Sequence, residues 1–235
     1  SLERGGNVLA THEDIGDVNQ TVTVTAPAIS TSARDAIDGD KDVVVDDVTT
    51  VIDTVEYTGL IPGKEYTLKG TLHVKVTDEE GNVTEKALEV DGKPVTAETT
   101  FTPEKADGKV EVAFPFDSRD LEDKTDIVVF ESLVRSGTEI ASHADIDDEN
   151  QTATVNHPEI GTTAVDAADG DKSVATDDKA TVTDRVAYKN LVPGKEYTVK
   201  GTLHVKKTDG EGNINGEPLK VDGKPVKAET VFTPD

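Results

Sequence analysis

Five polar side chains in this sequence sit where the strand pattern calls for apolar ones, and together they could carry out an acyl transfer. Val51, Asp53, Val55 and Tyr57 alternate along one run, so an extended strand puts Asp53 on an apolar face. Val129, Glu131 and Leu133 do the same for Glu131, and Ile29, Thr31 and Ala33 for Thr31. Gln151 shares its face with Ala153 and Val155, and His143 lies eight residues before it. Burying an uncompensated carboxylate, amide or imidazole costs several kcal/mol. A satisfied hydrogen-bond network accounts for such a set, as do strand edges where the parity is misassigned. The other account is chemistry. A hydroxyl, a general base, a carboxylate pair and an electrophilic amide are what an internal acyl transfer requires.

The pattern occurs more than once. Sliding the sequence by 131 positions makes 54 of the 85 residues from 20 to 104 identical to those from 151 to 235, with no gap. Residues 1–20 also fall on 132–151, with 11 of 20 identical. The copies carry part of the set: His12 and Gln20 match His143 and Gln151, while Thr162 and Asp184 match Thr31 and Asp53. The first residue is not Met, and the chain starts and stops mid-repeat, as a piece of a longer array does. A period of 131 residues suits one domain with its own core and is too long for a solenoid unit. Near the repeated Pro27 and Pro158 the chain is expected to divide into 1–25 (the tail of one repeat), 26–156 (a complete domain) and 157–235 (the head of the next).

Strands must position these residues. Runs of Thr, Val and Tyr with period two predict strands at Thr21–Thr25, Thr50–Thr58, Glu65–Thr77, Val95–Phe101, Lys109–Phe116, Asp126–Leu133 and Gln151–Val155. Turns are expected at Ile61-Pro62-Gly63-Lys64, Glu80-Gly81-Asn82 and Asp91-Gly92-Lys93-Pro94. The fold class is therefore all-β: tandem immunoglobulin-like antiparallel β-sandwich domains.

Composition narrows the function. There are 48 Asp and Glu against 24 Lys and Arg, a net charge of −24, which opposes nucleic acid and anionic membranes as partners. Cys, Met and Trp are absent, so disulfides, zinc–thiolate sites and cysteine nucleophiles are excluded. With only 4% aromatic residues the core is lean, and a staple other than a disulfide becomes worth seeking. No metal or cofactor is expected. Asp35-x-x-Asp38-Gly39-Asp40 and its copy fail the EF-hand spacing and read as polar turns, as does the Asp145–Asn150 cluster. His73 and His204 have no visible ligand partner, and His157, aligned with Ala26, carries no case.

At the singled-out residues the chain resembles a known family, the intramolecular ester-bond domains (T-Q ester-bond or VaFE repeats) of Gram-positive surface adhesins. Val128-Val129-Phe130-Glu131 resembles the VaFE signature, and Ile29-Ser30-Thr31-Ser32-Ala33 and Ile160-Gly161-Thr162-Thr163-Ala164 resemble the Thr-bearing first strand. Asp53-Thr54-Val55-Glu56-Tyr57 resembles the acidic strand, and the run from His143 to Thr152 the His/Gln end strand. The resemblance implies that Thr31 attacks the Gln151 carboxamide, with His143 as base and Asp53 and Glu131 sharing a proton. An ester forms once and ammonia leaves, so the chain is no turnover enzyme. It also implies an extracellular stalk anchored to the cell wall of a Gram-positive bacterium. Its partners would be neighbouring repeats, with any host ligand held by another domain and no membrane insertion in this segment. Three other readings stand beside this one: a sandwich that binds host protein or glycan, an enzyme on an external substrate, and the same stalk with a Lys–Asn isopeptide or no cross-link.

Overall fold

β-Branched residues lose little by adopting the extended backbone, and along this chain they alternate with polar ones. The computed structural model describes residues 1–77, 80–81, 83–176, 178–208 and 214–235. Its strands are β1 (Leu2–Arg4), β2 (Asn7–Ala10), β3 (Ala28–Asp35), β4 (Asp42–Val44), β5 (Thr49–Thr58), β6 (Tyr66–Thr77), β7 (Val83–Ala87), β8 (Glu89–Val90), β9 (Lys93–Pro94), β10 (Thr96–Phe101), β11 (Gly108–Phe116), β12 (Asp126–Arg135), β13 (Thr138–His143) and β14 (Thr152–Asn156). They continue as β15 (Glu159–Asp166), β16 (Val182–Lys189), β17 (Tyr197–Thr202), β18 (His204–Thr208), β19 (Ile214–Pro218), β20 (Lys220–Val221), β21 (Lys224–Pro225) and β22 (Lys227–Phe232). Among the described residues the only helical turns are two 3₁₀ turns, Val18–Gln20 and Glu149–Gln151, and no helix is long and apolar enough to cross a membrane. The expected turn at Glu80-Gly81-Asn82 includes Asn82, which lies outside the described residues.

Residues 26–156 form a two-layer sandwich. One sheet runs β10-β6-β12-β14-β4, with β13 beside β12 and β7 beside β6; the other is β11-β5-β3. Between them lies a core that includes Val51, Val55, Val112 and Phe114 of the smaller sheet and Leu68, Leu72, Ile127, Val129, Leu133, Ala153 and Val155 of the larger. Fully burying each of the Val, Leu, Ile and Phe side chains among them stabilises by about 1.5–3 kcal/mol before chain entropy is counted.

Two expectations are corrected. The sandwich is antiparallel except at one edge, where β14 pairs parallel with β4 through Val155 and Val43. The short β4 follows a tight turn out of β3 and crosses to the other sheet, so it meets the last strand running the same way. The strand expected at Thr21–Thr25 does not form, and Val22 and Val24 are exposed. Its counterpart β14 is held between β12 and β4, and among the described residues no strand pairs with 21–25.

Residues 157–235 repeat the pairings of 26–104. β15 pairs with β16 as β3 does with β5, and β17 with β22 as β6 does with β10. That correspondence stops short of strands like β11–β14, so the second face stays uncovered. Tyr188 is accordingly 44% exposed where Tyr57 is 7% exposed.

Candidate functional site

The register brings four strands and one turn to a single point between the sheets. Asp53 of β5 lies between Ala33 of β3 and Val112 of β11, and Thr31 pairs with Val55 two residues further along. Glu131 of β12 lies between Gly70 of β6 and His143 of β13. The turn carrying Gln151 packs against β3. Thr31, Asp53, Glu131 and Gln151 are all buried, as strand parity required, and His143 reaches them from the rim.

The Thr31 hydroxyl meets an imidazole. Thr31 Oγ1 is 3.3 Å from His143 Nδ1, and His143 Nε2 is 3.2 Å from Asp148 Oδ2. A proton on Nε2 facing that carboxylate leaves Nδ1 as an acceptor, so Asp148 favours the tautomer in which Nδ1 can accept from the Thr31 hydroxyl. Asp148 is itself fixed, because its side chain accepts a 2.8 Å hydrogen bond from the Asn150 backbone N–H at the start of the turn. Asp148→Ala is expected to slow bond formation about 100-fold while leaving the fold intact. Asp148→Asn should restore the turn but not the rate. Refolding kinetics followed by intact mass would check this, and an unchanged rate in Asp148→Ala would remove Asp148 from the relay.

All four carboxyl oxygens of Asp53 and Glu131 are buried without a well-formed hydrogen bond, and only the Thr31 hydroxyl and the Ser32 backbone come near enough to Asp53 to interact with it. Burial pushes Asp53 up to about 7, against a weaker downward pull from Thr31, Lys41 and the Ser32 backbone. Burial and the charge of Asp53 push Glu131 up to about 9. With Glu131 raised that far, at least one of the two carboxyls keeps its proton at neutral pH. Space for Glu131 comes from Gly70, where a Cβ would lie 2.4 Å from Glu131 Oε1 and 2.3 Å from Phe114 Cζ. Gly70→Ala is expected to cost about 1–3 kcal/mol of stability and to slow cross-linking by displacing the carboxyl. Denaturant midpoints together with intact mass would check it; normal cross-linking in a destabilised variant would leave Gly70 a packing residue only.

The carboxamide is oriented on all sides. Gln151 Nε2 donates to the carbonyl of Val129 at 2.6 Å and to that of His143 at 3.2 Å, while Oε1 accepts from the Asp145 backbone N–H at 3.3 Å. That N–H points at the oxygen on which negative charge would gather if Thr31 attacked. Lys41 donates to the Asn150 carbonyl, tying the turn down from β4's side, and burial lowers its pKa.

Asp148, Gly70, Lys41 and the Asp145 N–H were not singled out from sequence. For Asp148 a signal existed: His12 and Asp17 repeat the five-residue spacing of His143 and Asp148, and they pair at 3.0 Å. The partial copies bring less together. Gln20 and His12 are exposed, joined only by a 3.4 Å bond from Gln20 Nε2 to the His12 carbonyl. Thr162 and Asp184 hold the same ladder positions as Thr31 and Asp53 but are exposed. His73 stacks on Phe130 at 4.1 Å in the large sheet. Among the described residues no group of three or more His, Asp and Glu is placed to hold a metal ion.

Among solved structures, the chain is similar to a bacterial adhesin from Mobiluncus mulieris containing intramolecular disulfide, isopeptide and ester bond cross-links. That match has 14% identity and a TM-score of 0.46 and covers 89% of this chain and 93% of the other. It is also similar to BcpA, the major pilin subunit of Bacillus cereus, at 12% identity and a TM-score of 0.32, covering 87% and 66% of the two chains. No curated protein matches it in sequence. A family model described as T-Q ester bond containing domain matches residues 1–24, 27–155 and 158–235. With nearly its whole length matched, the chain belongs to the family of T-Q ester bond containing domains.

Proposed function

We propose that residues 26–156 are a structural unit that locks itself with an ester between Thr31 and Gln151. The observation that carries this is the 3.3 Å contact between the Thr31 hydroxyl and His143, in a core that also buries a carboxamide and an unpartnered carboxyl pair. His143 Nδ1 takes the hydroxyl proton as Oγ1 bonds to the Gln151 side-chain carbonyl carbon. Charge develops on Oε1, which faces the Asp145 N–H, and a protonated carboxyl of the Asp53–Glu131 pair stands by as the acid. The C–N bond then breaks, the nitrogen takes up the proton that His143 received from Thr31, directly or through the carboxyl pair, and ammonia leaves. Hydroxyl and amide are consumed, ester and ammonia are produced, and nothing is regenerated.

In this reading the chain divides into 1–25, 26–156 and 157–235, and only 26–156 holds all five groups. The unit serves as a repeat in the stalk of an adhesin on a Gram-positive surface, where a lean core without cysteines must bear load. Intact mass tests the linkage, because loss of ammonia lowers it by about 17 Da. Hydroxylamine should cleave the link, which separates an ester from an isopeptide. An undiminished mass, or a deficit that survives in Gln151→Ala, would overturn the assignment.

A further inference from the structure

The turn Ile61-Pro62-Gly63-Lys64 is an exposed apolar and cationic knob on residues 26–156, with Ile61 48% exposed. Its copy, Val192-Pro193-Gly194-Lys195, is built the same way. The backbone N–H of Ile61 donates to the Tyr66 hydroxyl at 2.9 Å, and that of Val192 to the Tyr197 hydroxyl at 3.0 Å. Yet Val192 is 6% exposed, although residues 157–235 are elsewhere far more open than 26–156. Local structure is equal in the two copies, so the difference comes from what covers the turn. Lys195 Nζ pairs with Asp46 and lies 3.5 Å from Asp47 Oδ1, both in the β4–β5 turn of residues 26–156. That turn is a rigid seat. The Ser118 backbone N–H donates to the Asp46 carbonyl at 3.1 Å, and the Asp46 N–H donates to Ser118 Oγ at 3.0 Å. The linker is fastened as well: the His157 N–H donates to Asp123 Oδ1 at 2.8 Å, His157 Nε2 to the Leu121 carbonyl at 2.6 Å, and Asn190 Nδ2 to the His157 carbonyl at 3.0 Å.

We infer that the Pro-Gly-Lys knob of each repeat docks on the Asp-Asp turn of the repeat before it, so that the face around Ile61 and Lys64 is covered by the preceding copy in the intact array. Both halves recur at the 131-residue spacing: Lys64 and Lys195 on one side, Asp46-Asp47 and Asp177-Asp178 on the other. The clasp sets the angle between successive repeats. It rests on the tandem division proposed above and not on the ester, which can form or fail without touching it.

Because the chain has no cysteine, spin labels can be placed cleanly at E98C and E229C, exposed and equivalent positions on the two sides of the joint. Electron–electron distance measurements on the full chain should give one narrow distribution. Lys195→Asp should broaden it about twofold or more, and combining it with Asp46→Lys should narrow it again, as an oriented ion pair requires. The swap also separates loss of the clasp from simple misfolding of the segment. A broad distribution in the parent, no broadening in Lys195→Asp, or no recovery in the swap would each overturn the clasp.

Discussion

Thr31→Ala and Gln151→Ala are each expected to give a chain of undiminished mass, allowing for the substitution, that unfolds much more easily. An ester between Thr31 and Gln151 would close a loop of about 120 residues, which by the entropy argument used for disulfides is worth roughly 5 kcal/mol. For a unit of this size that is on the order of 15–20 °C in the melting midpoint. The decisive measurement is the double variant. Either single change removes the same bond, so the second should add only its own local cost, with a coupling close to the full 5 kcal/mol or so. Small, additive effects would mean that Thr31 and Gln151 are ordinary core residues. The Thr31 hydroxyl contacts only His143 and Asp53 among the described side chains, and truncating it without a cross-link should cost only about 1–2 kcal/mol. The expected drop is several times larger than that.

The second large effect concerns the carboxyl pair. Glu131→Ala is expected to slow bond formation by about 10²–10⁴-fold, if the protonated carboxyl of the proposed reaction acts as its acid. Glu131→Gln keeps the volume and neutrality, so it should fold well and still react slowly. In the parent, the rate during refolding should fall as pH rises through about 9, where Glu131 gives up its proton. Stability follows the same sign. Both acids bind protons more tightly in the folded state, so folding gains most below the ordinary carboxylate range. That gain is lost as pH rises through about 7 for Asp53 and about 9 for Glu131. The unlinked Thr31→Ala variant should therefore lose several kcal/mol between about pH 4 and pH 9. A flat stability profile over that range would mean that the two carboxyls are solvated.

Strand parity was enough to place Thr31, Asp53, Glu131 and Gln151 inside, because a period of two assigns faces without knowledge of partners. It was not enough for Asp148. That residue acts through a turn, where no periodicity applies, and a run of acidic residues in a turn ordinarily reads as solvated surface. Gly70 was invisible for another reason: its meaning depends on which residue of β12 faces it, and register between distant strands is not written in either strand alone. The same non-locality hid the parallel pairing of β14 with β4 and the short strands β7 and β13. Thr21–Thr25 errs in the opposite direction. It resembles β14 in sequence, but among the described residues no strand pairs with it, and composition alone does not make a strand.

The placement of the linked pair close to the two ends of residues 26–156 fixes how far such a repeat can lengthen. Thr31 lies near the start of β3, and Gln151 immediately precedes β14. Without the bond, forced unfolding releases a chain of about 120 residues, or roughly 400 Å of slack. With the bond, almost none of that length is available. A column of such units would take up strain only at its joints, so its compliance would belong to the linkers and not to the sandwiches.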